Sequence, residues 1–276
     1  MIDHVDQALR TSQNALVGLH PGTDRLLQGL TRSYALSWIY ARTAIARVRH
    51  AAPIHPGRLF WVDPDEIRRT VSWTRISTDR KRDEHARFRA PNYRLAGRVF
   101  GGDWDTRDEY FSQSTIYQSF VAHFDRGVPW EQTAFYIESA AAIENGATLW
   151  DCGTLDAFDG RCAELDLLYE RIATDGYKTQ AELRGRDRPL SAADRLHRAI
   201  WGEIAVNVGR DGELVFLDGR NRLAIAKVQG LDAVPVVVLV RHEAWQRLRN
   251  RVARGAVDPS ALPADVRTHP DIVTLY

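Results

Sequence analysis

The sequence predicts an α/β protein that contains a small mixed sheet, and the clearest observations lie in the last third of the chain. Residues 203–208 alternate apolar and polar side chains as a half-buried strand does. Asp211-Gly212 is a dipeptide typical of tight hairpin turns, and residues 213–217 supply the returning strand. Residues 234–240 form an apolar run with the length of a buried strand, and a short helix at 223–229 precedes it. Together these patterns indicate a strand–turn–strand–helix–strand unit.

The rest of the chain is predicted to be mainly helical. Residues 59–62 are a further strand candidate, and Asp63-Pro64 after them is a typical helix start. Further helices are expected at 108–125, 131–144 and 160–174, followed by a polar loop at 181–190 and a short helix capped by Ser191. We therefore expect a helical segment with a linker over residues 1–57 and one domain over residues 58–276. A helical insertion at about 107–200 would cover the sheet of that domain.

The composition excludes several classes of protein. A chain of 276 residues with 44% hydrophobic and 26% charged residues is expected to bury an ordinary core. Its net charge of +1 gives no general attraction for nucleic acid. Cys152 and Cys162 do not have the spacing of a structural zinc site or a disulfide framework. The first residues lack the basic start and apolar run of a signal peptide, so we predict a cytoplasmic location.

A basic segment near the N-terminus allows two interpretations. Residues 32–50 carry Trp and Tyr side chains and several arginines, with no acid between Arg32 and His50. The apolar run at 34–48 is broken by Arg42 and Arg47, and it falls short of the roughly 18 apolar residues of a membrane span. A basic aromatic helix of this kind could lie on an anionic membrane surface. The alternative is that it packs on its own protein through an ordinary buried face.

The turn between the strand at 213–217 and the following helix predicts an anion site. It consists of Asp218, Gly219, Arg220, Asn221 and Arg222, named below the 218–222 turn. A glycine lets the backbone approach a ligand closely, and a helix N-terminus offers unpaired N–H groups with a partial positive charge. The two arginines add fork-shaped donors suited to phosphate. The alternative is that Asp218 only caps the helix while the arginines pair with local acids.

The run EIAVNVGRDGELVFLDGRNRLAIAKVQGLDAVPVVVLV at 203–240 resembles the core of the ParB/sulfiredoxin-like superfamily. The resemblance implies a small mixed sheet of that type, with a first strand near residues 59–62. It also implies that the 218–222 turn binds nucleotide phosphates, as the corresponding turn does in members of the superfamily that bind CTP, ATP or ADP. The expected cofactor is therefore a nucleoside triphosphate or diphosphate with Mg²⁺. The resemblance says little about residues 70–195.

Two departures from that superfamily affect the expected chemistry. Asn221 stands where the superfamily often has a histidine, and an asparagine cannot transfer a proton near neutral pH. The cysteine of the sulfiredoxins has no counterpart, because Cys152 and Cys162 fall in the helical middle of the chain. We therefore expect phosphate binding at the turn, and we do not expect reduction of cysteine sulfinate.

Three acids are candidates for catalysis. Asp103 and Asp105 flank Trp104 after a glycine pair, and alternate residues of an extended segment point the same way. They could bind Mg²⁺ together with substrate phosphates, or supply a general base. The alternative is a polar turn around a packed Trp104. Glu203 stands at the start of the first strand in the 203–240 unit. The alternative is that it is an exposed residue at the start of that strand.

The leading hypothesis is a nucleotide-dependent phosphotransferase, similar to a kinase, or a nucleotide hydrolase that acts on an unidentified small molecule. The 218–222 turn would hold the phosphates, while the three acids would orient the metal or activate the acceptor hydroxyl. The competing hypothesis is a noncatalytic nucleotide-sensing or DNA-associated module. Asn221 favours it, and so does a predicted basic helix from about residue 243 that could meet a nucleic-acid backbone. The residues of that helix region are His242, Trp245, Arg247, Arg249, Arg251 and Arg254.

Overall fold

A computed structural model describes residues 21–71, 91–106, 109–184 and 189–276. Within these ranges the chain is a mixed α/β protein with one six-stranded mixed sheet and eleven α-helices. The predicted α/β class is therefore confirmed.

The strands are β1 Leu59–Val62, β2 Arg69–Thr70, β3 Arg98–Phe100, β4 Ile204–Val208, β5 Leu214–Asp218 and β6 Val234–His242. They form a sheet with the order β1-β6-β4-β5-β2, and β3 pairs with the C-terminal end of β6. β4 is antiparallel to β5 and parallel to β6, which makes β4 the centre of the sheet.

Helices lie before, between and after the strands. The α-helices are α1 Pro21–Arg49, α2 Asn92–Leu95, α3 Thr115–Phe120, α4 Ala134–Glu144, α5 Leu155–Asp175, α6 Gln180–Arg184, α7 Ala192–Gly202, α8 Arg220–Val228, α9 Glu243–Ala253, α10 Ala264–Thr268 and α11 Pro270–Val273. Short 3-10 turns at Pro64–Glu66, Phe111–Gln113, Trp130–Gln132 and Pro259–Ala261, and a π turn at Val121–Asp125, complete the described elements.

The sheet separates two hydrophobic cores. Successive strand residues point to opposite faces, so Val206 and Val236 enter one core and Ala205 and Val237 enter the other. The first core contains apolar side chains of α3, α4, α5, α8 and α11. The second is closed by α1, α2 and α7, with Ile39 of α1 completely buried in it. The part of α1 around Ile39 therefore packs on the sheet, as the second interpretation of residues 32–50 expects.

Local capping explains where the middle helices differ from the predicted boundaries. The helix expected at 108–125 begins only at Thr115, because the Ser114 side chain accepts the hydrogen bond from the Tyr117 N–H. The helix expected at 160–174 begins at Leu155, where Thr154 is the cap. The helices expected at 131–144 and from Ser191 are confirmed, the latter with a complete capping box. Part of the polar loop expected at 181–190 is the helix α6.

The basic helix α9 is held to the protein by a buried acid. Arg241 donates two hydrogen bonds to the Asp271 carboxylate, at 2.7 and 2.8 Å, and Trp245 donates a third. The Arg249 side chain is only 2% exposed and donates to the Asp271 backbone carbonyl. Burial would raise the pKa of Asp271, but these partners lower it below its usual range. Trp245 and Arg249 are therefore parts of the core, which removes them from the set predicted to meet a nucleic-acid backbone.

His269 makes the stability of this C-terminal unit depend on pH. Its Nδ1 accepts a hydrogen bond from the Asp271 N–H at the start of α11, and burial lowers the pKa of His269 to about 4. A histidine whose pKa is lowered on folding contributes stability above pH 6.5 that is lost as the pH falls towards 4.

We predict that His269→Asn removes this loss, because asparagine also caps helices and does not titrate. When the pH falls from 7 to 4, the free energy of unfolding of the wild type should decrease by about 3 kcal/mol more than that of the variant. Urea unfolding at both pH values measures this difference. Equal losses in the two proteins would show that His269 is protonated in the folded state without penalty.

Candidate functional site

The 218–222 turn lies at the edge of the sheet where β5 ends and α8 begins. Gly219 has a φ of +89°, in the left-handed region that side chains rarely adopt. A Cβ at this position would lie 2.9 Å from the Ile204 Cα and 3.4 Å from the Glu203 carbonyl oxygen. The turn therefore requires glycine for two reasons, its backbone conformation and its close contact with the start of β4.

Asp218 does not cap the helix, so one part of the alternative interpretation of this turn is wrong. Its Oδ1 accepts a hydrogen bond from the Gly219 N–H at 2.7 Å, and its Oδ2 accepts one from Asn92 at 2.9 Å. Gly219 is the N-cap residue, and among the described residues no side chain caps α8. The helix thus begins with N–H groups that carry a partial positive charge and face the turn.

Arg220 is held in place by an aromatic ring. Its guanidinium carbon lies 5.1 Å from the centre of the Trp150 ring. Burial lowers the pKa of Arg220, and Asp218 partly opposes this effect. Trp150 and Asp151 have φ values of 57° and 63°, which is strained for residues other than glycine. The turn that places Trp150 beside Arg220 therefore carries backbone strain of about 1–3 kcal/mol per residue.

Arg222 faces a buried carboxylate. Its Nη1 lies 3.6 Å from the Glu203 Oε2, and the Glu203 side chain is only 1% exposed. The Glu203 Oε1 accepts a hydrogen bond from the Gln180 N–H at 2.6 Å. Burial raises the pKa of Glu203, although this bond and Arg222 oppose the rise. The interpretation of Glu203 as an exposed strand start is therefore wrong.

Several polar atoms at this site lack hydrogen bonds. In the described parts of the chain, no hydrogen-bond partner is found for the Glu203 Oε2, the Arg222 Nη1 or the Asn221 Oδ1, although all three are buried. Burial raises the pKa of Tyr177 to about 12, while the neighbouring Arg222 opposes the rise. Buried polar groups are normally paired, so a group of unpaired ones in one place indicates room for a ligand or for water.

A small cavity of about 100 Å³ is lined by Arg222 and Tyr177, together with Arg171, Lys178 and Gln180. Among the described residues that line it, the one acid is Asp175, whose carboxylate lies 2.7 Å from the Lys178 Nζ. Three cations around one small space suit an anionic group about the size of a phosphate.

Asp103 and Asp105 lie at the opposite end of the sheet. Asp105 accepts hydrogen bonds from the backbone N–H and guanidinium of Arg210, and Asp103 accepts one from the same guanidinium at 2.8 Å. Arg210 belongs to the β4–β5 hairpin loop, whereas Asp218 ends β5. Four residues of strand, or about 13 Å, separate these two ends of the hairpin. The expectation that these acids act on a substrate held at the turn is therefore wrong.

The environment of Asp105 also differs from that of an open metal site. Burial would raise the pKa of Asp105, but its hydrogen bonds with Arg210 lower it. His242 lies 4.0 Å from the Asp105 Oδ1 and binds the Gly102 carbonyl oxygen. Across the described residues, no group of three or more His, Cys, Asp or Glu side chains could hold a metal ion. The structure instead shows both aspartates binding Arg210, which fixes the hairpin loop.

Three site residues lie outside the predicted set. Tyr177 follows the glycine that ends α5, Gln180 begins α6, and Trp150 lies in a loop. The sequence near them carries only turn patterns, and the 218–222 turn is more than 35 residues away along the chain from each of them. Their contribution depends on how the helices and loops of residues 134–184 pack near α8, which no local pattern specifies.

We predict that Gly219→Ala destabilises the protein more than Gly230→Ala does. Both glycines flank α8 and have positive φ, but a Cβ at Gly230 meets nothing within 4 Å. The left-handed conformation alone costs alanine about 1–2 kcal/mol, and only Gly219→Ala adds the clash with Ile204. Urea unfolding of both variants measures the difference, and equal losses would show that the close contact relaxes freely.

The comparisons with known proteins add no assignment. No family model, no curated protein and no solved structure matches the chain. Among the described residues, no helix has the length and apolar character needed to cross a membrane. The resemblance of residues 203–240 to the ParB/sulfiredoxin-like superfamily therefore remains a prediction from the sequence.

Proposed function

We propose that the protein is a nucleotide-phosphate-binding enzyme of the ParB/sulfiredoxin-like type, most simply a phosphotransferase or a nucleotide hydrolase acting on a small molecule. The observation that carries the proposal is the buried Glu203 carboxylate beside Arg222 at an uncapped helix start. Such an arrangement places a proton acceptor next to donors for a phosphate. A buried carboxyl group whose pKa is raised is a candidate for a functional role.

In this proposal, the 218–222 turn binds the phosphates. The first N–H groups of α8 and the guanidinium of Arg222 would donate to phosphate oxygens. Arg220 is already oriented by Trp150, so little side-chain entropy is lost when it binds. Asp218 is the exposed carboxylate of the turn, and it would hold Mg²⁺ together with the phosphates and several waters. The bound ion would neutralise charge on the transferred phosphoryl group.

Glu203 is the proposed general base in place of Asp103 and Asp105. Its carboxylate would take the proton of the acceptor hydroxyl, or of water, as that oxygen forms a bond to the terminal phosphorus. The bond from phosphorus to the bridging oxygen would then break, and the nucleoside diphosphate would leave. A base acts best when its pKa is moved towards the working pH, and burial moves the pKa of Glu203 in that direction.

The second candidate is a noncatalytic nucleotide-sensing module. Asn221 favours it, because this side chain cannot transfer a proton. The near-complete burial of Glu203 also favours it, since an acceptor must reach the carboxylate. The DNA-associated form of this candidate is weakened by the burial of Arg249 in α9.

We predict that a nucleotide raises the melting temperature and that Arg222→Gln abolishes the effect. A ligand at a free concentration of 100 times its Kd stabilises the folded protein by about 2.7 kcal/mol. ATP, ADP and CTP should each be tested with and without Mg²⁺ by thermal unfolding. Arg247→Gln is the control for the loss of one positive charge, because Arg247 is exposed and its ion pair among the described residues is with Glu243 one helical turn away. If no nucleotide changes the melting temperature, both proposed functions fail.

We predict that Glu203→Gln binds the nucleotide but loses turnover. Glutamine keeps an acceptor for the Gln180 N–H and cannot take a proton. Release of ADP or inorganic phosphate from ATP should fall by 10²-fold or more, an order of magnitude typical of a general base. In the wild type, the acidic limb of the rate profile should lie above pH 4.5, because the pKa of Glu203 is raised.

Two other outcomes distinguish the candidates. Nucleotide binding without any turnover by the wild type favours the sensing module. Turnover that Glu203→Gln leaves unchanged shows that another group is the base.

A further inference from the structure

A second, larger pocket lies on the other side of the sheet, between α1 and β3. It has a volume of about 370 Å³, which falls within the range of small-molecule sites. Its walls are residues of α1 from Trp38 to Arg49, the following His50, the strand β3 and the glycine that precedes β3. Phe100 of β3 and Ile45 of α1 provide apolar surface.

The charge around this pocket is of one sign. Arg42, Arg49 and Arg98 line it, and among the described residues that line it there is no aspartate or glutamate. Burial, followed by repulsion from Arg98 and Arg94, lowers the pKa of Arg42 to about 10. A bound anion would relieve this repulsion, since each guanidinium would gain a charge of opposite sign.

The arginines are positioned by contacts other than ion pairs. Arg42 and Arg98 each donate a hydrogen bond to the Arg94 carbonyl oxygen, at 2.5 and 3.0 Å. The guanidinium of Arg42 also lies over the Trp38 ring, 5.4 Å from its centre. These contacts fix the direction of two cations while leaving N–H groups for a further acceptor, because each guanidinium has five.

The mouth of the pocket is apolar as well as basic. Ile45, which lines the pocket, is 52% exposed. A single exposed apolar side chain is common on protein surfaces, but Ile45 adjoins a cavity with cationic and aromatic walls. The lining thus matches a molecule that has both an apolar part and a negative charge.

We propose that the pocket between α1 and β3 binds an amphipathic organic anion, in which a carboxylate or phosphate meets Arg42 and Arg98 while an apolar body lies against Trp38 and Phe100. Such a group occurs in free organic acids and in the headgroup region of anionic lipids. The site is separate from the 218–222 turn, because α1 covers the opposite face of the sheet from α8.

The test uses 2-naphthoate as the probe and 2-naphthalenemethanol as its neutral analogue. Isothermal titration should show binding of the naphthoate that weakens with salt, and much weaker binding of the alcohol. Arg98→Gln should weaken naphthoate binding by about tenfold or more, because a hydrogen bond to a charged group is lost. Arg49→Gln should weaken it too, and Arg49 is exposed at the helix end, so this variant keeps the fold testable.

Two controls separate this site from others. Arg251→Gln removes an exposed arginine of α9 and should leave binding unchanged. Arg222→Gln should also leave it unchanged, so failure here and failure at the nucleotide turn are distinguishable. Flotation with vesicles of phosphatidylglycerol and phosphatidylcholine, against phosphatidylcholine alone, tests the lipid source.

Each outcome decides between the sources or against the site. Naphthoate binding that depends on Arg98 and Arg49 assigns the pocket to soluble organic anions. Flotation that depends on the same arginines, without naphthoate binding, assigns it to a lipid headgroup. The proposal is overturned if the acid and the alcohol bind equally, if neither arginine matters, or if neither naphthoate nor the phosphatidylglycerol vesicles bind.

Discussion

The close contact between Gly219 and the start of β4 is the constraint on which the candidate site depends. The β4–β5 hairpin brings the first residue of β4 and the last residue of β5 to the same edge of the sheet. The chain must then turn into α8 within one residue, directly against Ile204. Only glycine satisfies both the backbone conformation and the distance. As a result, Arg222 on the first turn of α8 meets Glu203, which immediately precedes β4.

Three acid–arginine contacts show how this site differs from the structural ones. Asp271 and Asp105 both accept multiple short hydrogen bonds from arginines, and the pKa of each is lowered. Glu203 is as buried as these aspartates, yet its partner Arg222 is 3.6 Å away and its pKa is raised. A buried pair without full hydrogen bonding contributes little to stability, because desolvation offsets the attraction between the charges. This difference is why we propose a functional role for the Glu203–Arg222 pair.

The same comparison separates what the sequence predicts from what it does not. The strands, the hairpin and the glycine turn of residues 203–240 are predictable because each depends on local periodicity and turn chemistry. The position of Asp103 and Asp105 is not, since it depends on a pairing with Arg210 more than 100 residues away. The burial of Glu203 likewise depends on α6, which lies where the sequence predicts a polar loop.

The arginines of the chain are a further case in which the sequence does not predict the position of a side chain. The sequence marks residues 32–50 and the region from 243 as basic, but it does not distinguish buried from exposed guanidinium groups. In the fold, Arg249 is an interior residue, while Arg42 and Arg98 line a pocket. Arginine is suited to both roles because its charge is delocalised and its donors are arranged in a rigid fork.

A crystal structure of the protein with a non-hydrolysable ATP analogue and Mg²⁺ tests the central claim most directly. The account predicts that the phosphates lie within hydrogen-bond distance of the first N–H groups of α8 and of Arg222, with Glu203 close to the terminal phosphate. Phosphates found only among Arg42 and Arg98, on the other face of the sheet, would contradict it.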